Sequence, residues 1–146
     1  MDGPDKLRLF ERAVTASTNS IVITDPNLPD NPIVYVNPAF EKTTGYSMEE
    51  VLGRNCRFLQ GDDRDQSALE ELRACIGEGR ECRVVLRNYR KDGTRFWNEL
   101  SVYPVRDESG RVMNFVGVQN DVTERRRAEQ ELSEMRRAER RRIARD

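Results

Sequence analysis

Three carboxamides stand on faces that are otherwise apolar. Side chains alternate across a strand, so parity assigns each residue to one face or the other. By that rule Asn88 shares a face with Val84 and Leu86, Asn98 with Phe96, Leu100 and Val102, and Gln119 with Met113, Phe115 and Gly117. If these faces look inward, each amide needs partners, at about 1–3 kcal/mol for each one left without. The amides can bond to one another or to backbone. They can also meet a ligand whose edge alternates acceptor, donor and acceptor, because an amide offers both kinds of group. The pyrimidine edge of a flavin (O2, N3–H, O4) has that pattern, and Gly117 would let a flat ring come close to its strand.

Cys56 sits in the loop Gly-Arg-Asn-Cys-Arg-Phe-Leu-Gln-Gly, residues 53–61. Taken by itself, a cysteine in such a place is more often packed than reactive. With Cys75 and Cys82 it makes an odd count without C-x-x-C spacing, which argues for free thiols in a reducing compartment and against a disulfide framework. The chain has no histidine. His-ligated haem or zinc, a Ser-His-Asp triad and a phosphoacceptor histidine are therefore excluded from it. No G-x-G-x-x-G occurs either, so a flavin redox enzyme would lack a recognisable nicotinamide site.

The elements that must position these residues can be read from pattern. Leu7, Phe10 and Val14 predict a short amphipathic helix over 7–18. Strands are predicted at 20–25 and 33–36, with proline-rich turn formers between them. Pro38 begins a helix that Gly45 ends, and Ser47 with Glu50 forms a capping box for another short helix. A helix is predicted over 64–77, with Leu69, Leu72 and Ile76 along one side. Strands at about 81–90, 94–106 and 111–121 follow, parted by Lys-Asp-Gly and Asp-Glu-Ser-Gly turns. The opposite parity of this meander carries Val85, Tyr89, Trp97, Tyr103, Val116 and Val118. So large an apolar face calls for a cover, either a terminal helix or a second subunit. The fold class is α+β, divided as an N-terminal cap helix (1–18), a core (19–121) and a C-terminal helix (122–146).

Composition agrees with one domain bearing polar ends. Of 146 residues 36% are apolar and 35% charged, and no apolar run approaches a membrane span. The N-terminus is no signal peptide, so a cytoplasmic protein with no membrane partner is expected. Over 124–146 arginines outnumber acids nine to six. With a net charge of −1 and acids interleaved along 124–146, no nucleic-acid partner is expected. Ala128, Leu132 and Met135 keep heptad-like spacing, but Glu139 and Arg142 follow, so any coiled-coil seam is weak.

Gly-Arg-Asn-Cys-Arg-Phe-Leu-Gln-Gly resembles the signature of LOV domains, the flavin-binding blue-light sensors of the PAS superfamily. The likeness continues through Asn88-Tyr89, Lys91-Asp92-Gly93, Phe96-Trp97-Asn98 and Gly117-Val118-Gln119, and spans about residues 20–121. It implies a PAS/LOV fold, a five-stranded antiparallel sheet with helices on one face, flanked by helices at both ends. It also implies that Cys56 joins its sulfur reversibly to flavin C4a under blue light. Asn88, Asn98 and Gln119 would hold the ring edge, with Leu100, Phe115 and Gly117 against the ring; many plant members have Phe where Leu100 stands. Asn55 and Gln60 would contact the ribityl chain and ring edge, and Gln119 would pass the signal on by reorienting its amide. Arg57, Arg73 and Arg64 match phosphate-binding arginines and imply FMN, although Arg64 could instead pair with Asp62, Asp63 or Asp65. Were Arg64 and Arg73 on one helix they would point to opposite sides; both reach one phosphate only if Arg64 precedes the helix. Cys75 and Cys82 match no family position.

The C-terminal segment resembles the helix by which PAS-type sensors signal. Its Glu-Arg-Arg-Arg-Ile-Ala-Arg-Asp, 139–146, is similar to residues preceding the phosphoacceptor histidine of some sensor histidine kinases. The resemblance thus implies a non-enzymatic sensor module, either from a light-regulated histidine kinase or a stand-alone short LOV protein, homodimeric through its terminal helices and outer sheet face. The alternative is a PAS ligand-binding or dimerisation module without photochemistry.

Overall fold

The computed structural model describes residues 3–145, apart from the side chains of Gly3 and Leu7. The ends of the first and last expected segments, and the place of Leu7 in the apolar stripe, lie outside the described residues. Helix α1 (Gly3–Ala16) leads into strands β1 (Ser20–Thr24) and β2 (Ile33–Val36). Helices α2 (Pro38–Thr44) and α3 (Met48–Val51), a 3₁₀ turn at Cys56–Gln60 and helix α4 (Ser67–Glu78) follow. Strands β3 (Cys82–Tyr89), β4 (Arg95–Arg106) and β5 (Val112–Asp121) precede helix α5 (Thr123–Arg145). The strands form one antiparallel sheet in the order β2-β1-β5-β4-β3.

Parity works as anticipated except at Met113, which is exposed near the start of its strand. Val84, Leu86 and Asn88 of β3, Phe96, Asn98 and Val102 of β4, and Phe115, Gly117 and Gln119 of β5 are all buried. Two apolar clusters lie beneath that face. One joins Val22, Ile33, Val36, Phe40, Val51 and Leu59; the other joins Leu69, Val84 and Leu86. A domain of this size ordinarily has one contiguous core, so the gap between the clusters is where something else belongs.

Two buried amides hold the helical layer to the sheet. Asn37, fully buried, accepts from Ile21 N at 2.8 Å and from Phe40 N at 3.0 Å, and donates to Val14 O and Asn19 O. It caps α2, whose first residue is Pro38, and at the same time fastens the end of α1 to the start of β1. Gln66 works like one more strand residue at the sheet edge: its Oε1 accepts from Arg87 N at 2.8 Å and its Nε2 donates to Arg87 O at 3.0 Å. Helix α4 ends at Gly79, whose φ of 66° lets its N–H reach back to Cys75 O and Ile76 O.

The structure corrects three expectations. Helix α4 begins at Ser67, not at residue 64, because Gln66 is spent on the edge of β3 and holds an extended backbone. The loop after Gly53 contains the 3₁₀ turn, capped by Asn55. Terminal helices cover the outer face only in part: α5 reaches it at Trp97, where Arg126 stacks 4.2 Å from the ring centre, while Tyr103 stays 40% exposed. Helix α1 packs against α2.

Replacing Asn37 by alanine would take the acceptor from Ile21 N–H and the donor from Val14 O and Asn19 O, while Phe40 N–H keeps the Asn37 carbonyl at 3.1 Å. Lost bonds of this kind cost about 3 kcal/mol together, so Asn37→Ala should lower the thermal midpoint followed by circular dichroism by roughly 6–12 °C.

Candidate functional site

The gap between the two apolar clusters is a cavity with about 680 Å³ of empty space counted out to its open mouth. Members of both clusters, Val22 and Leu59 from one and Leu86 from the other, line it. Sheet residues supply the floor: Asn88, Asn98, Leu100, Phe115, Gly117 and Gln119 all face it. Leu72 and Ile76 of α4 close one side, and Asn55, Cys56, Arg57 and Gln60 of the 3₁₀ segment another.

Polar satisfaction is incomplete here. Asn98 Nδ2 donates to Asn88 Oδ1 at 2.9 Å, and Asn88 Nδ2 bonds to Arg87 O. Gln119 Oε1 accepts from the Ser20 hydroxyl at 2.8 Å. The amides therefore do bond to neighbours, which was one of the two possibilities, but not completely. Among the described residues, the buried side-chain polar atoms without a partner are Asn98 Oδ1, Thr24 Oγ1 and Asn31 Oδ1. All three residues line this one cavity. Unpaired buried polar atoms are rare because each forfeits its hydration, and three around one hole describe the edge of a missing polar partner. Thr24 and Asn31 were not singled out by sequence. Thr24 could have been, since it shares its face with Val22 and Ser20; Asn31 lies in a loop that carries no periodicity.

Gly117 shapes the floor. A Cβ there would lie 2.9 Å from Val22 Cγ1 and 3.2 Å from Leu100 Cδ1. Only the lack of a side chain lets Val22 and Leu100 come this close to β5, and Gly117 pairs with Val22 on one side and Val102 on the other.

Cys56 opens the 3₁₀ turn. Burial pushes its thiol up to about 12, with Arg57 pulling weakly the other way, so it keeps its proton at neutral pH. Cys75 and Cys82 do not line the cavity.

At the mouth, the loop joining β1 to β2 docks on the 3₁₀ segment. Asp30 and Asn31 adopt positive φ, a conformation that Asx residues tolerate. Asn55 Nδ2 donates to Asp30 O at 2.7 Å, and Arg57 grips the Asp30 carboxylate with two bonds of 2.6 Å. Asn55 Oδ1 also accepts from Arg57 N, so this amide is largely engaged with backbone. Arg57, Arg64 and Arg73 line one adjoining recess together with Gln60. Arg64 lies in the loop before α4, the arrangement under which it and Arg73 can converge. It does not pair with Asp63, whose carboxylate is held by Arg87 at 2.7 Å and by the Tyr89 hydroxyl.

The PAS domain family profile matches residues 18–124. The blue-light-activated histidine kinase 1 of Erythrobacter litoralis is 48% identical over 129 residues, which is 86% of this chain and 36% of that protein. A solved RNA-binding light-oxygen-voltage receptor superposes with a TM-score of 0.87 at 41% identity, covering 95% of this chain and 39% of that one. A light-oxygen-voltage domain solved to study its mechanism with a flavin analogue gives 0.75 at 45% identity, covering 92% and 99%. The chain belongs to the PAS family, and within it to the LOV domains, the class of blue-light sensor modules. It spans less than half the length of the curated relatives it matches.

Flavin is the cofactor that membership implies, and the chemistry of the cavity fits it: orphaned polar atoms stand at its edge, Gly117 adds no side chain to its floor, and apolar side chains line its walls.

Away from the cavity lining, Arg87 above all, and then the Tyr89 hydroxyl, hold the Asp63 carboxyl well below the usual carboxylate range. The stability drawn from this pairing is present above the unfolded value near pH 4 and drains away as pH falls toward the folded one. Urea midpoints measured between pH 6 and pH 3 should therefore fall more steeply for the native chain than for Asp63→Asn.

Proposed function

We propose that this LOV domain binds FMN in the dark and that blue light joins Cys56 reversibly to flavin C4a. The convergence of three unpartnered buried polar groups on one cavity that also contains Cys56 carries this reading. Asn88, Asn98 and Gln119 would hold the polar ring edge, and Leu100, Phe115 and Gly117 its faces. Asn55 and Gln60 would meet the ring edge and side chain. Lit by blue light, the bound flavin supplies an electrophilic ring carbon, C4a, beside a ring nitrogen, N5, that takes up a proton. A thiol that has kept its proton can serve both: Cys56 would give its sulfur to the carbon and its hydrogen to the nitrogen. Atoms and electrons then balance with no separate acid or base, which suits a chain without histidine. Reversal in the dark returns both to Cys56.

Phosphate would sit in the recess of Arg57, Arg64 and Arg73. Guanidinium groups favour a phosphate-bearing flavin over riboflavin. Arg57 already spends its fork on Asp30, so Arg64 and Arg73 are the two whose charge a phosphate would meet first.

Output would run through the ends of the chain to a second copy and to an effector. Phe10 of α1 is 63% exposed and Met135 of α5 68%, with Leu132, Ile143 and Tyr103 also open to solvent. Exposed apolar groups on both terminal helices and on the outer sheet face support a homodimer through those surfaces. The likeness of 139–146 to kinase segments, together with the Erythrobacter relative, supports a histidine kinase as the effector, with the domain itself serving as sensor and not as enzyme. RNA binding belongs to the neighbour that shows it and is not carried over. Acids separate the arginine blocks of α5, and Arg125, Arg127 and Arg142 already pair with Glu99, Glu124 and Glu139. Among the described residues no helix is long and apolar enough to cross a membrane.

Illumination decides the chemistry. The native chain loaded with FMN should lose its visible flavin band under blue light and regain it in darkness, whereas Cys56→Ala should keep the band and its fluorescence. Bleaching that persists equally in the alanine variant would leave a PAS module without this photochemistry. Arg73→Ala should weaken FMN by about tenfold, the weight of one partly solvated charge-assisted bond, in fluorescence titrations that leave riboflavin affinity unchanged.

A further inference from the structure

Ser20 opens β1 directly opposite Gln119 of β5 and is 2% exposed. Its hydroxyl donates to Gln119 Oε1. Gln119 lines the cavity and Ser20 does not, so the serine stands behind the amide, on the side away from the cofactor site. Holding Oε1 on Ser20 leaves the Nε2 end of the same amide to the cavity. Asn37 grips the backbone on either side of this serine, accepting from Ile21 N at 2.8 Å and donating to Asn19 O at 2.9 Å. The same Asn37 nitrogen donates to Val14 O of α1 at 3.0 Å.

We propose that Ser20 is the positioning residue for Gln119 and that, through the backbone Asn37 holds, it couples the orientation of that amide to helix α1. The proposal rests on the flavin reading above and deepens it. Half a turn of a carboxamide exchanges its acceptor for its donor. A hydroxyl can answer both orientations without moving its oxygen far: it donates to Oε1 in the arrangement seen, and it accepts from Nε2 after rotation while its own hydrogen turns elsewhere. The exchange also replaces an O–H···O contact by an N–H···O one, longer by about 0.2 Å in its usual geometry. That displacement falls on the first residue of β1, between the two backbone groups clamped by Asn37, and the clamp ends on α1. The amide is the element with two discrete arrangements that a coupling between separate places requires. A cavity ring atom that turns from acceptor to donor on receiving the Cys56 hydrogen would favour the rotated form.

Hydrogen–deuterium exchange of the FMN-loaded chain, read over residues 14–21 in darkness and under blue light, tests this. Absorbance of the flavin band is recorded on the same samples. The native chain should bleach and show faster exchange over 14–21 in the light. Ser20→Ala should bleach as the native chain does while its light-minus-dark exchange difference falls about fivefold, the population weight of one neutral hydrogen bond. Ser20→Thr, which keeps the hydroxyl, should restore the difference. Should alanine prevent folding, Ser20→Cys, close in size with only a weak S–H donor, should show the same fall. A difference undiminished in Ser20→Ala or Ser20→Cys overturns the proposal, as does bleaching of the native chain with no difference over 14–21. Failure of the native chain to bleach overturns the flavin-adduct reading and this one with it.

Discussion

A buried face that is partly polar must be completed by something polar, and most of this architecture follows from that constraint. The sheet turns Asn88, Asn98 and Gln119 inward among valines, leucines and phenylalanines. Side-chain bonding satisfies much of this polarity but stops short at Asn98 Oδ1, Thr24 Oγ1 and Asn31 Oδ1. Apolar packing stops there too, dividing into two clusters on either side of the cavity. Dispersion and burial hold each half together, but the middle of the domain lacks both packing and polar partners. A flat group with a polar edge and apolar faces would supply both at once. Binding that favours the folded state also stabilises it by mass action, so occupancy and stability should be linked in a domain built this way.

Much of this could be read from sequence because alternation along strands is strict. Asn98 could not face outward without turning Phe96 and Val102 outward with it. Helix starts were harder. Pro38 and the Ser47 capping box gave local signals that the chain obeys, but the start of α4 is set by Gln66, which bonds to a strand twenty-one residues away. Nothing near Gln66 in sequence announces that bond. Asn37 was illegible for the same reason. It precedes a proline and so reads as an ordinary cap, while its buried amide also serves α1 and β1. Amides whose partners are distant backbone groups leave no periodic trace, whereas amides on a strand face do.

Charge tells a related story. The loop arginines were legible as a group but not in their division of labour. Arg57 closes on Asp30 because two consecutive residues of the β1–β2 loop, Asp30 and Asn31, adopt positive φ and bring that carboxylate to the mouth. Arg87, which had no assigned part, takes Asp63, and this leaves Arg64 beside Arg73. An exposed arginine–carboxylate pair contributes little to stability. Its consequence here is geometric: it fixes which guanidinium groups remain to face an anion.

Both terminal helices are fastened close to a cavity amide. On β4, Trp97 precedes Asn98; its N–H donates to Thr123 Oγ1, its carbonyl accepts from Val122 N, and its ring stacks under Arg126. On β1, Ser20 bonds Gln119 while its neighbours Asn19 and Ile21 are held by Asn37, which also holds α1. The two attachments differ in kind. At Trp97 the helix is tied to backbone, so a change at the Asn98 side chain must first move the strand. At Ser20 the amide touches the side chain of the residue between the two that Asn37 holds, and a change of donor for acceptor acts on it without any prior movement of β5. The N-terminal attachment therefore reaches Gln119 through side chains, whereas α5 continues almost at once from β5, the strand that carries Gln119.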